Sequence, residues 1–139
     1  MSVLVDTSVW SLALRRRSPG DGPAVRELRE LVEEARVRII GAIRQEILSG
    51  IREVSHFESL RDHLSAFPDL ELSTIDHVRA AEFFNICRRH GVQGSNTDFL
   101  ICAAAERHGL PIFTTDGDFE DFALHLPIEI HPPRTHPAP

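Results

Sequence analysis

The chain repeats one unit along most of its length: a short apolar run, a polar turn carrying an acidic residue, then a stretch of helical periodicity. Ser2-Val3-Leu4-Val5 runs into Asp6 and a helix through Val9, Trp10, Leu12 and Ala13, capped by Thr7 or Ser8. Val37 to Ile40 passes through Gly41 into a helix with Ile43, Ile47, Leu48 and Ile51 inward. Ile112-Phe113-Thr114 runs into Thr115-Asp116-Gly117-Asp118-Phe119 and a short helix. Brief runs buried on both faces, each followed by a helix, predict a parallel sheet, because parallel neighbours need a crossover and a helix supplies it. The strand-to-helix turns then gather at one edge, where open α/β folds build their sites.

The intervening segments complete an α/β architecture. Val25, Leu28, Leu31, Val32 and Ala35 mark one further helix, and Ser55 with Glu58 predicts a capping box for another, which ends at Pro68. Leu70-Glu71-Leu72 alternates like a short strand, and Ser73 or Thr74 caps a longer helix running to Gly91. Asp98 opens the apolar helix Phe99 to His108, stopped by Gly109 and Pro111, and Ile128-Glu129-Ile130 reads as an edge strand. The expectation is four to five parallel strands with helices on both faces. Residues 1–131 form one domain, followed by a disordered Pro-rich tail over 132–139. No GxGxxG or GxxxxGK[ST] fingerprint is present.

Asp6, Glu46, Asp98 and Asp116 fall at or beside these turns. Alone, each Asp has an ordinary explanation as a turn residue or as a helix N-terminal carboxylate favoured by the dipole. Glu46 lies close to an apolar stripe, where a carboxylate is costly unless paired or bound. Together on one edge, four carboxylates repel and must protonate or bind a cation. No Cys/His cluster at metal-ligand spacing competes, so the expected cation is hard and oxygen-seeking, Mg²⁺ or Mn²⁺.

A length of 139 residues with 42% hydrophobic content suits one domain with one core. No apolar run approaches ~18 residues and Met1-Ser2-Val3-Leu4 lacks a charged signal-peptide start, which predicts a cytoplasmic protein without a membrane span. Cys87 and Cys102, without CxxC spacing, read as buried free thiols. The net charge of −6 does not exclude a nucleic-acid partner: with the four edge acids set aside from the 21, the 15 basic residues are nearly matched. Every one of those 15 is Arg, so Lys-dependent chemistry is excluded and phosphate contacts would use the planar guanidinium.

Asp6-Thr7-Ser8-Val9-Trp10, Arg44-Gln45-Glu46-Ile47-Leu48-Ser49-Gly50, Asp98-Phe99-Leu100-Ile101-Cys102-Ala103-Ala104 and Thr114-Thr115-Asp116-Gly117-Asp118-Phe119, in that order, resemble the PIN-domain ribonucleases. Within them the chain is most similar to the VapC-type toxins of prokaryotic toxin–antitoxin pairs, to about His131. The resemblance implies a PIN-like three-layer α/β/α sandwich, an RNA substrate, Mg²⁺ or Mn²⁺, a homodimer and a small antitoxin partner. It assigns Asp6, Glu46, Asp98 and Asp116 to the acidic quartet. The three Asp would be metal ligands, Glu46 would hold a water or act as base, and Asp118 would be an auxiliary ligand. Thr7, Ser8 and Thr115 fall where hydroxyls orient carboxylates or waters, and Cys102 stands where the family commonly has Ala.

The resemblance also implies cleavage that leaves a 5′-phosphate and a 3′-hydroxyl. Arg15, Arg16 and Arg17 are the first candidates for tracking the RNA backbone, with Arg88-Arg89 second. Trp10, Leu14, Phe83 and Phe84 are apolar candidates for a subunit contact. An antitoxin Arg could pair bidentately with the acids and displace the metal. The rival expectation is a PIN-like fold kept as a non-catalytic RNA- or protein-binding module, although a binder gains nothing from clustered acids. A phosphorelay receiver and a haloacid-dehalogenase-like phosphatase both require a Lys that this chain lacks.

Overall fold

Val3, Leu4 and Val5 are fully buried, which explains a first run that is apolar on both faces. In a computed structural model describing residues 1–14 and 22–135, these residues form the central strand β1 (Val3–Val5). It pairs in parallel with β2 (Val37–Arg38) through Val3↔Val37 and Leu4↔Arg38, and with β3 (Ile112–Phe113) through Leu4↔Ile112 and Val5↔Phe113. The strand order is β2-β1-β3. Seven helices are present among the described residues: α1 (Thr7–Leu14), α2 (Pro23–Glu33), α3 (Gly41–Leu48), α4 (Val54–Leu64), α5 (Thr74–Arg89), α6 (Asn96–His108) and α7 (Asp118–Ala123).

The sheet has three strands among the described residues, not the four to five expected. The two outer segments contribute single parallel bridges, Ile39↔Asp69 and Ile112↔Ile130. Pro68, Pro127 and Pro132, which have no N–H to donate, flank the two outer segments and limit how far each ladder can run. What remains is Leu70 N–H to Ile39 O at 2.9 Å, Ile112 N–H to Glu129 O at 2.8 Å and His131 N–H to Ile112 O at 2.7 Å.

Helix starts follow their caps, with two corrections. α6 begins at Asn96 and Ser95 caps it, so Asp98 sits in the first turn rather than at the start. α4 begins at Val54 with Glu53 before it, and Phe57 N–H donates to Glu53 O at 3.0 Å. Ser55 is therefore already helical, and the expected box with Glu58 does not form. Ser73 and Asp76 do form a capping box on α5, and Gly109 ends α6 at φ +64°, a conformation glycine adopts without strain.

One core runs through the molecule, with Trp10, Phe83, Phe99, Phe113, Phe119 and Phe122 fully buried. Trp10 Nε1 donates to Val5 O at 3.2 Å, and its ring lies 5.2 Å from that of Phe67. Trp10 and Phe83 are thus core residues and not the surface candidates expected, while Leu14 and Phe84 are partly buried. Cys87 and Cys102 are buried free thiols. No helix among the described residues is long and apolar enough to cross a membrane.

Ion pairs fix the elements that periodicity alone leaves loose. Arg44 on α3 donates to Leu64 O at 2.9 Å and to Phe67 O, and pairs with Asp69 at 3.0 Å. Antiparallel α5 and α6 are joined by Arg107, which grips the buried Asp76 carboxylate at 2.6 and 2.8 Å. The C-terminal residues expected to be disordered are described as far as Thr135. Within them Arg134 reaches the buried Glu27 at 2.7 Å and Glu34 at 2.8 Å, and His131 also meets Glu27 at 2.7 Å.

The Arg107 guanidinium holds Asp76 below the ordinary carboxylate range. A lowered folded-state pKa stabilises fully above the unfolded value of about 3.9 and is lost as pH falls through the folded value. Asp76→Asn is expected to cost about 2 kcal/mol at neutral pH, since hydrogen bonds to charged groups contribute roughly 1.5–3 kcal/mol. It should also flatten the loss of stability below pH ~4. Urea melts at two pH values check both; an unchanged acid limb would show that Asp76 does not carry the effect.

Candidate functional site

Asp6 follows β1 directly and is only 5% exposed. Its N–H continues the ladder to Phe113 O at 2.9 Å, so the residue is tied to the exit of β3. Its Oδ2 accepts from Ser8 Oγ and from Thr114 Oγ1, both at 2.8 Å. Thr114 Oγ1 in turn accepts the Asp116 N–H, and Ser8 Oγ the Thr115 N–H, each at 3.0 Å. Two hydroxyls thus stitch the turn after β3 to Asp6, and Asp116 is carried with it. Asp116 Oδ1 accepts the Asp118 N–H at 2.9 Å, which starts α7.

Glu46 projects from α3 and accepts Thr7 Oγ1 at 3.0 Å. Asp98 Oδ2 accepts the Ser95 N–H at 3.0 Å while Ser95 Oγ accepts the Asp98 N–H at 3.1 Å. Although much of Glu46 reaches solvent, partial burial of its carboxyl raises its pKa; the Thr7 hydroxyl opposes this, and the charges of Asp6 and Asp98 add to it. Burial likewise raises Asp98, against its bonds from Ser95 and with the charges of Asp6 and Asp116. Beneath them the Cys102 thiol is pushed up by burial first, then by Asp98, Cys87 and Asp6. Glu46 therefore lies in the field of Asp6 and Asp98, and Asp98 in that of Asp6 and Asp116. Asp118 is exposed at the start of α7 and is linked to the group only through Asp116.

Thr114 is the residue that reading the sequence passed over. Thr115 was expected to supply an orienting hydroxyl, yet it contributes its N–H, and the hydroxyl on Asp6 is that of Thr114. In an extended run successive side chains alternate in direction, so the residue two before Asp116 was the one to suspect. Arg15, Arg16 and Arg17 lie outside the described residues.

Among the described residues no three His, Cys, Asp or Glu side chains converge closely enough to hold a metal ion. Each edge carboxylate accepts from a nearby hydroxyl or N–H: Asp6 from Ser8 and Thr114, Glu46 from Thr7, Asp98 from Ser95, Asp116 from Asp118. The donor chemistry nevertheless fits a hard divalent ion: all the oxygens are carboxylate or hydroxyl, and Glu46 and Asp98 are raised in part by neighbouring negative charge.

Residues 3–124 match the PIN domain family. The chain belongs to that family. Among curated relatives, VapC ribonuclease Mb1587 of Mycobacterium bovis and Ribonuclease VapC11 of Mycobacterium tuberculosis are each 36% identical over 124 residues, covering 87% of this chain and 91% of theirs. Among solved structures, VapBC2 from Rickettsia felis bound to a promoter DNA fragment superposes with a TM-score of 0.70 at 18% identity, covering 94% of this chain and 96% of that one.

An aromatic cluster underlies the acids. Phe99, next to Asp98, packs 4.9 Å from Phe122 of α7, which packs 5.1 Å from Phe119. Gly94, one residue before the Ser95 cap, is where this cluster meets the backbone: a Cβ there would lie 2.5 Å from Phe122 Cζ and 3.0 Å from Phe99 Cζ. Gly94→Ala must displace Phe122, and overpacking of this kind costs about 1–3 kcal/mol. Thermal melts are expected to show that loss, and adding Phe122→Leu should recover part of it. A double variant no more stable than the sum of the two single losses would refute the clash.

Proposed function

We propose that this chain is a metal-dependent endoribonuclease toxin neutralised by a small antitoxin. The observation that carries the reading is the field linking Asp6, Glu46, Asp98 and Asp116 at one sheet edge, in a PIN-family chain whose curated relatives are named ribonucleases. Asp6, Asp98 and Asp116 would hold Mg²⁺ or Mn²⁺, with Asp118 as auxiliary ligand. Such an ion supplies Lewis-acid polarisation of a phosphodiester oxygen and lowers the pKa of a water.

The chain's own groups do the rest. Ser8 and Thr114 fix the aim of Asp6, and Thr7 holds Glu46, whose raised pKa suits it to take a proton from the attacking water. With water as nucleophile and the 3′ oxygen as leaving group, the products would be a 5′-phosphate and a 3′-hydroxyl, and the RNA 2′-hydroxyl would take no part in the attack. Arg15, Arg16 and Arg17 stay candidates for backbone contact on sequence grounds. The partner would be a small antitoxin and the assembly a homodimer in the cytoplasm. With Trp10 and Phe83 in the core, the apolar contact candidates move to Ile75 and Val78 on α5, 70% and 55% exposed.

Millimolar Mg²⁺ or Mn²⁺ is expected to raise the melting temperature, because binding to the folded state alone stabilises by about 2.7 kcal/mol at a hundredfold excess over Kd. Asp98→Asn should remove most of that gain. A wild-type midpoint that ignores both ions would sink the metal site. Asp6→Ala should lose cleavage of cellular RNA by orders of magnitude while Glu58→Gln, on the exposed side of α4, loses almost nothing. Equal cleavage by wild type and Asp6→Ala would favour the non-catalytic binding module.

A further inference from the structure

We infer that the C-terminal end of α5, with the cleft it shares with the turn before α6, seats the phosphodiester backbone of the RNA strand flanking the scissile bond. The inference deepens the ribonuclease reading and rests on it. The antiparallel pairing of α5 and α6 sets Asp76 against Arg107 at one end, and Phe84 5.5 Å from Phe99 at the other. The last turn of α5, with Arg88 and Arg89, therefore lies beside the first turn of α6, with Asp98. Between them is a cleft of about 270 Å³ lined by Phe84, Arg88, Val92, Gln93, Gly94 and Phe99. An apolar, partly aromatic floor with a guanidinium and an amide at its rim is the combination that single-stranded nucleic acid uses.

Charge sets this patch apart from an ordinary helix end. The last-turn arginines of α4 and α6 have carboxylate partners, Arg61 with Asp62 and Arg107 with Asp76. The side chains of Arg88 and Arg89 are exposed and have neither an ion-pair nor a hydrogen-bond partner among the described residues. No acidic residue occurs between Glu82 and Asp98, in a chain with 21 acids. The backbone that presents the two arginines is fixed. His90 stacks on His125 with ring centroids 4.1 Å apart, which ties the turn after α5 to the end of α7. Two unneutralised guanidiniums on a fixed turn, one opening onto a cleft that reaches the neighbour of Asp98, suit two successive phosphates of a strand led toward the acids.

The test measures binding without cleavage. The full chain is held in EDTA, and a fluorescein-labelled single-stranded oligoribonucleotide is titrated by anisotropy across a salt series. Each phosphate contact on a single strand contributes about 0.7 to the slope of log K against log salt. Arg88→Ala with Arg89→Ala is therefore expected to weaken binding about tenfold and to make the slope shallower by about 1.4, whereas the paired Lys variant keeps the wild-type slope. Melting curves confirm that both variants fold. Wild-type affinity and slope in the alanine variant overturn the seat alone, provided that wild type binds RNA and Asp6→Ala abolishes cleavage. A wild-type chain that neither binds nor cuts RNA overturns the ribonuclease reading as well.

Discussion

A carboxylate that is 5% exposed and sits in the field of other carboxylates survives only where its surroundings receive its charge. Asp6 meets that condition through Ser8 and Thr114, and its own N–H is a rung of the β1–β3 pairing. The same contacts set the turn after β3, because Thr114 holds the Asp116 N–H and Ser8 the Thr115 N–H. The position of Asp116 is thus a consequence of how Asp6 is satisfied. Asp98 and Glu46 approach from helices with their own supports, the Ser95 capping box and the Thr7 hydroxyl. The Ser95 box is local to α6, whereas Thr7 reaches Glu46 and Thr114 reaches Asp6 across the fold, so these last supports form only as the elements assemble.

This division explains why the sequence was informative about some features and silent about others. The order of apolar runs and helices follows from burial on both faces of β1 and from crossover geometry, and both are written into Val3-Leu4-Val5, Val37 to Ile40 and Ile112-Phe113. The extent of the sheet was not legible. Leu70-Glu71-Leu72 and Ile128-Glu129-Ile130 alternate correctly, yet prolines nearby and the lack of an outer neighbour reduce each to one bridge. The local cap was readable at Ser73, where the hydroxyl stands just outside the helix, and misleading at Ser55, where the helix had already begun, while the start of α6 lay two residues before Asp98. The neighbourhood of the four acids could be anticipated because strand ends converge by topology. Thr114 was legible only in part: alternation sets its side chain opposite that of Thr115, but which of the two faces Asp6 depends on how the segment leaves β3.

The acids rest on a layer that does not share their looseness. Phe84, Phe99, Phe122 and Phe119 form a continuous chain of ring contacts from α5 to α7, closed over Gly94. Above it the carboxylates accept from hydroxyl and N–H donors, and no three converge among the described residues. A rigid floor under mutually repelling groups limits the rearrangement open to them. The carboxylates can rotate toward a cation, while the backbone positions that carry them stay fixed by packing.

Charge is segregated along the same lines. Glu27 and Glu30 on α2 and Glu34 at its C-cap form an acidic row, and Arg134 crosses it as a strap, so that much of the negative charge there is neutralised internally. Among the described residues the edge acids have no Arg as hydrogen-bond partner, and the nearby end of α5 carries two Arg with no acid. A net charge of −6 averages over these regions and conceals the arrangement that matters. An approaching polyanion would be repelled by the edge acids themselves and attracted to the α5 end beside them, and the field between the two is steepest where they adjoin. On the proposed metal-dependent reading, that juxtaposition would favour a ligand that anchors its phosphates on one side of the acids and reaches them only when a cation has cancelled their charge. Order of assembly would then be imposed by electrostatics, without any moving part.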